Sequence, residues 1–162
     1  MLASRLLGEG FRAYAVRLGG AVALPWAYAT VLMLLEEKHY PHVIMLLDAD
    51  SNLEPQIDRK RHELEAMLEE HRLGSDEVTV CLAVPEIEAW LLAAYVERPE
   101  ESRDPKGDLA KHLHARRVLP QQAAELARTL DIDVARRRAP SFDTFVRSLT
   151  QVAERLRQAS AA

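Results

Sequence analysis

Two stretches of strand length, HVIMLL (His42 to Leu47) and EVTVCLAV (Glu77 to Val84), are apolar almost without interruption. A strand with one face in water alternates polar and apolar residues, so near-continuous runs are expected of strands covered on both faces. Between them lies LEPQIDRKRHELEAMLEEHRLG, Leu53 to Gly74, where Ile57, Leu64, Met67 and Leu68 recur at helical spacing among dense charge and a glycine closes the segment. That pattern predicts an amphipathic helix. Strand, helix and strand in succession predict a parallel α/β sheet. An earlier strand is expected over FRAYAVRL (Phe11 to Leu18), closed by Gly19 and Gly20, followed by a helix from about Pro25 to Lys38. After the second apolar run, Pro85 is expected to open the helix EIEAWLLAAYV.

Beyond Arg98 the pattern changes. RPEESRDPKGD reads as a polar loop, and DLAKHLHARRVL, PQQAAELARTL and FDTFVRSLTQVAERLRQ read as helices only, with the tail QASAA expected to fray. The expected organisation is an α/β core over residues 1–98, with a helical C-terminal cap over residues 99–162 packed on it.

A chain of 162 residues has room for one domain with a sizeable core. Its 25 acidic and 21 basic residues leave a net charge of −4, so bulk charge does not mark a nucleic-acid binder. The lone cysteine, Cys81, sits inside VTVCLAV, which excludes a disulfide framework and predicts a small, inert core residue in a reducing compartment. The longest apolar stretch, Ala21 to Leu35, falls short of the roughly 20 residues of a membrane span and contains Pro25. A buried helix is expected there, with no membrane partner. The N-terminal residues show neither a long apolar core nor a small-residue cleavage site, so cytoplasmic residence is expected.

The first apolar run ends in LLDADSNLEP. Ligands of open parallel sheets sit beyond the carboxyl ends of the strands, where Asp48 and Asp50 fall. Two carboxylates there form a hard oxygen site suited to Mg²⁺ or Mn²⁺, and like charges so close repel unless a cation or donor lies between them. Ser51 or Asn52 is expected to cap the following helix. At the second strand end, Glu86 and Glu88 fall on a first helical turn, where acidic residues are ordinary dipole partners. Residues two apart on a helix diverge, so one of the two is expected to face the aspartates.

GFRAYAVRLGG, a helix and HVIMLLDAD together resemble the second half of the Toprim core, the Mg²⁺-binding fold of bacterial primases, topoisomerases and overcoming-lysogenization-defect nucleases. EIEAWLLA, DPKGDL and APSFDTFVRSL are similar to the uncharacterised Toprim-like proteins grouped as DUF4276. The resemblance implies a Toprim or Rossmann-like parallel sheet and places the family's D-x-D on Asp48 and Asp50 and the E-A-W glutamate on Glu88. It further implies that all three hold Mg²⁺ (or Mn²⁺), that Glu88 and Asp48 are catalytic, and that Lys106 balances phosphate charge. The implied activity is metal-dependent cleavage or transfer at a nucleic-acid phosphodiester; the alternative is a noncatalytic binding module beside an ATPase partner. Toprim proteins begin with a strand ending in a catalytic Glu-Gly, which this sequence does not show, since Glu9-Gly10 directly precedes the strand Phe11 to Leu18. A sheet lacking that strand is expected to expose an edge and to self-associate as a homo-oligomer.

LLDADSNLEP also resembles the D-x-D segment of GT-A glycosyltransferases, but those enzymes place a nucleotide-binding region ahead of the motif, for which there is no room. A D-x-D-x-T phosphatase is disfavoured because Asn52 stands in the threonine's place. His112 and His114 diverge on a helix, and Arg116, Arg117 and Arg136 to Arg138 read as solvated helix ends. Trp26 and Trp90 occupy apolar positions and are expected in the core.

Overall fold

A computed structural model describes Leu6 and residues 24–161. The strand expected over residues 11–18, the Glu9-Gly10 dipeptide and the side chain of Trp26 lie outside the described residues. The elements, in order, are α1 (Leu24–Leu32) continued by a π-helical turn (Met33–Glu37), β1 (Val43–Asp48), α2 (Glu54–Glu70), β2 (Val78–Ala83) and α3 (Ile87–Leu92). A 3-10 turn (Pro99–Glu101), α4 (Pro105–His112), α5 (Pro120–Thr129), α6 (Ile132–Arg138) and α7 (Pro140–Ala161) complete the described chain.

The fold is mixed α/β. β1 and β2 pair in parallel, with Val43 opposite Val78 and Asp48 opposite Ala83, and α2 makes the crossover between them. Both faces of the pair are covered, as their continuous apolar character requires. Strand side chains alternate, so Ile44, Leu46, Cys81 and Ala83 reach a cluster with Trp90, Leu109, Phe142 and Phe145. On the other face Val43, Met45 and Val78 meet Ala27, Val31 and Leu68, while Leu82 packs with Ile57 and Leu64. α1 and α2 therefore cover one side and the later helices the other. The C-terminal helices share one core with the sheet, with each large apolar side chain contributing about 1.5–3 kcal/mol by leaving water.

Local chemistry sets the element ends. α7 buries Phe142, Phe145, Val146, Leu149, Val152 and Ala153 at helical spacing, and it continues to Ala161, through the tail expected to fray. α3 begins at Ile87 rather than at Pro85, which follows a cis peptide bond and lies before the helix. The three arginines ending α6 complement its dipole. Two of them are held by protein groups: Arg136 donates to Asp143 at 2.7 Å, and Arg138 donates to the Ala93 carbonyl at 3.0 Å and pairs with Glu97.

Cys81 is buried, and burial pushes its thiol above the ordinary range, in keeping with an inert core residue. Among the described residues no helix is long and apolar enough to cross a membrane.

One polar junction ties the C-terminal helix to the end of the sheet. The Ser141 hydroxyl accepts from the Val84 N–H at 3.1 Å and from the Trp90 indole N–H at 2.8 Å, and it donates to Glu100 Oε1 at 2.5 Å. These contacts use its full capacity of two acceptor sites and one donor. The segment carrying Glu86 and Glu88 is thereby anchored from both sides.

Candidate functional site

The chain leaving β1 is locked to the chain leaving β2 beyond the end of the ladder. The Ala49 N–H donates to the Ala83 carbonyl and the Asp50 N–H to the Pro85 carbonyl, each at 2.8 Å. Asp50 adopts φ 59°, a left-handed backbone that aspartate tolerates better than most residues. The pleat that would have kept the two aspartates on one face ends there.

The two carboxylates consequently take different partners. Asp48 Oδ1 reaches across to the Ile87 N–H at 2.8 Å and satisfies the first donor of α3, whose N-cap Glu86 makes no side-chain cap bond. Asp50 Oδ2 accepts from Lys60 Nζ at 2.5 Å, and the same ammonium donates to the Asp48 carbonyl at 2.6 Å. A cation and a donor are needed at this strand end, and Lys60 and the Ile87 amide supply them. Neither Ser51 nor Asn52 caps α2: its N-cap is Leu53, whose N–H donates to Ser51 Oγ at 3.1 Å, and Asn52 Nδ2 reaches the Glu101 carbonyl at 3.5 Å.

Across the rim, Glu86 and Glu88 converge instead of diverging. Glu86 stands just ahead of α3 with extended backbone, φ −145° and ψ 160°, so helical spacing does not govern it. Lys106 Nζ lies 2.8 Å from Glu86 Oε2 and 4.0 Å from Glu88 Oε2. Glu86 Oε2 is held by the Lys106 ammonium, while Glu88 Oε2 is shut off from water without a hydrogen-bond partner. Burial pushes the Glu88 carboxyl above the ordinary range; its own backbone hydrogen bond and Lys106 oppose that shift, and the charges of Asp48 and Glu86 reinforce it. The Glu86 contact raises Lys106 above its ordinary value, with burial opposing.

Lys106 is placed by the start of α4. Asp104 caps that helix by accepting from the Gly107 N–H at 2.9 Å, and a Cβ at Gly107 would sit 2.0 Å from Asp104 Oδ2. A Cβ there requires the Asp104 carboxylate to move from its present position. Gly107→Ala is expected to displace it and cost about 1–2 kcal/mol, and Asp104→Ala to cost a similar amount. Because both act on one hydrogen bond, their costs should overlap in the double variant; additive losses in urea denaturation would contradict the shared cap.

Of the expected ligands, Asp48 and Glu88 face a common rim, and Asp50 is turned to Lys60. Among the described residues no group of three or more histidine, cysteine, aspartate or glutamate side chains is gathered closely enough to hold a metal ion. The carboxylates at the rim are of the donor type that Mg²⁺ or Mn²⁺ takes, but as they stand they do not form a ligand set. Lys60 and the inward-facing Glu86 are additions to the set read from sequence. Lys60 had a legible signal: it falls three residues after Ile57 and four before Leu64, on the stripe where helical spacing calls for an apolar residue. Glu86 had none, because its position depends on where α3 starts. Comparison of the chain with family models, curated proteins and solved structures finds no match.

Proposed function

We propose that the rim where β1 and β2 end is a Mg²⁺- or Mn²⁺-dependent site that cleaves or transfers a nucleic-acid phosphodiester. The observation that carries this reading is the convergence of Glu86 and Glu88 on Lys106 beside Asp48 at the carboxyl ends of two parallel strands. In this reading Asp48, Asp50 and Glu88 would hold the cation, which requires Asp50 to leave Lys60 and the carboxylates to draw closer together than they stand. A bound divalent ion supplies charge stabilisation at phosphorus and lowers the pKa of bound water. Lys106, more than half exposed and paired with Glu86, would turn from that carboxylate to a substrate phosphate. Glu88 would add a ligand or orient metal-bound water.

Supercoiled plasmid and single-stranded oligonucleotide incubated with Mn²⁺ test the proposal. Nicking is expected with the wild type, lost in Glu88→Gln and in Asp48→Asn, and weakened in Glu86→Gln. Nicking that persists unchanged in both the Asp48 and Glu88 variants would overturn it.

One observation favours a second reading, a noncatalytic binding module working with an ATPase partner: Lys60 and Lys106 already neutralise carboxylates at the rim. Cation binding without turnover on any nucleic acid would favour that module.

A further inference from the structure

The two strands are also tied together at their amino ends, opposite the rim. His42 stands just before β1, half-buried against the loop that leads into β2. Its Nδ1 lies 2.8 Å from the Asp76 carbonyl and its Nε2 lies 2.8 Å from Thr79 Oγ1. A carbonyl can only accept, so Nδ1 carries the proton and Nε2 accepts from the Thr79 hydroxyl. That pair of contacts requires a neutral ring.

The far end of α7 closes over the same loop. α7 buries apolar side chains as far as Ala153. Beyond it, Arg155 Nη1 donates to the Ser75 carbonyl at 3.2 Å and to Asp76 Oδ1 at 3.5 Å. Thr79, Glu154 and Arg155 line one polar groove between loop and helix. The charged groups that face His42 are therefore Asp76 from the loop and Arg155 from α7, with Glu154 beside the arginine. The Asp76 side chain is 96% exposed, so water screens its attraction for an imidazolium. Burial holds the His42 ring below its ordinary pKa; the Asp76 carbonyl opposes that shift, Arg155 adds to it and the Asp76 carboxylate opposes it.

We propose that His42 is a pH-sensitive clasp for the carboxy-terminal end of α7. Neutral, it shares the loop with Arg155. Protonated, it sets a second cation beside the guanidinium and turns Nε2 from acceptor to donor, and the helix beyond Ala153 lifts from the loop. The other end of α7 stays fixed, because Ser141 is bonded to Val84, Trp90 and Glu100 and the apolar side chains from Phe142 to Ala153 follow it into the core. Opening returns His42 to water, where it titrates near roughly 6.5. The closed state binds the proton less tightly, so closure is favoured above that value and is lost as pH falls below it. The device lies at the opposite end of the sheet from Asp48 and does not depend on what the rim binds.

Hydrogen exchange of the full chain, read by mass spectrometry as protection relative to the unfolded-peptide rate at each pH, tests the clasp. From about pH 7 to about pH 5.5, protection over residues 154–158 should fall about three- to eightfold while residues 142–153 keep theirs. His42→Gln, a neutral side chain that can still donate to the Asp76 carbonyl, should hold the segment equally at both pH values. Arg155→Gln removes the other cation and the tie to the loop, so protection there should be low and independent of pH. In that variant the His42 ring should titrate closer to its ordinary value by nuclear magnetic resonance. An equal fall in His42→Gln, a fall shared evenly by residues 142–153, or no protection of residues 154–158 at neutral pH would overturn the clasp. So would a native wild-type His42 that titrates at or above about 6.5, a result that does not depend on either variant folding.

Discussion

Trp90→Ala is expected to destabilise the protein by about 3–5 kcal/mol, the range for emptying a large buried aromatic site. Trp90 is 1% exposed and packs against Phe142 and Phe145 with ring centroids 5.2 Å away in each case. Its indole N–H also donates to Ser141 Oγ at 2.8 Å. Truncation removes the ring contacts and loosens α3 from α7 at the point where α3 carries Glu88, two residues earlier. For a chain of this length the loss corresponds to a fall in Tm of about 10 °C or more. Trp90→Phe keeps an aromatic ring and should cost less. Thermal and urea denaturation followed by far-ultraviolet circular dichroism would check both, and a Trp90→Ala cost below about 1 kcal/mol would contradict the packing described.

Glu100 is expected to give the second largest effect, one that depends on pH. Its Oε1 accepts from the Ser141 N–H at 2.8 Å and from the Ser141 hydroxyl at 2.5 Å, at the start of α7. Glu100→Ala removes that acceptor and should cost about 1–3 kcal/mol at neutral pH. Glu100→Gln keeps a carbonyl acceptor and removes the charge. Burial holds the Glu100 carboxyl above the ordinary range, against the opposing hydrogen bonds from Ser141 and from the Phe142 N–H. The native protein therefore binds this proton more tightly than the unfolded chain, where the carboxyl titrates near about 4.3. Between those two values the native state carries more protons, so this group's contribution to stability falls as pH rises. Relative to the wild type, Glu100→Gln should thus gain stability as pH increases above about 4.3 and level off above the raised native value. A stability difference that is flat across that interval, or that grows as pH falls, would contradict the assignment.

The same physical division separates what could be read from residues alone from what needed the fold. The apolar runs of β1 and β2 announced their own coverage on both faces, because no other environment suits a strand without polar alternation. α2 was legible from Ile57, Leu64 and Leu68, and Asp48 was legible as the end of a strand, where parallel sheets place their chemistry. Even Lys60 was written into the helical stripe.

What the side chains do to one another was decided by tertiary structure. Spacing put Asp48 and Asp50 together, but the left-handed backbone at Asp50 and a lysine arriving from α2 separated their carboxylates. Spacing drove Glu86 and Glu88 apart, but Glu86 lies ahead of the helix and both reach Lys106. Periodicity fixes direction only while one backbone conformation continues. At strand ends and helix starts the dihedral angles break that rule, and the partner of each charge is set by contacts far along the chain, such as Asp48 with Ile87 and Ser141 with Val84.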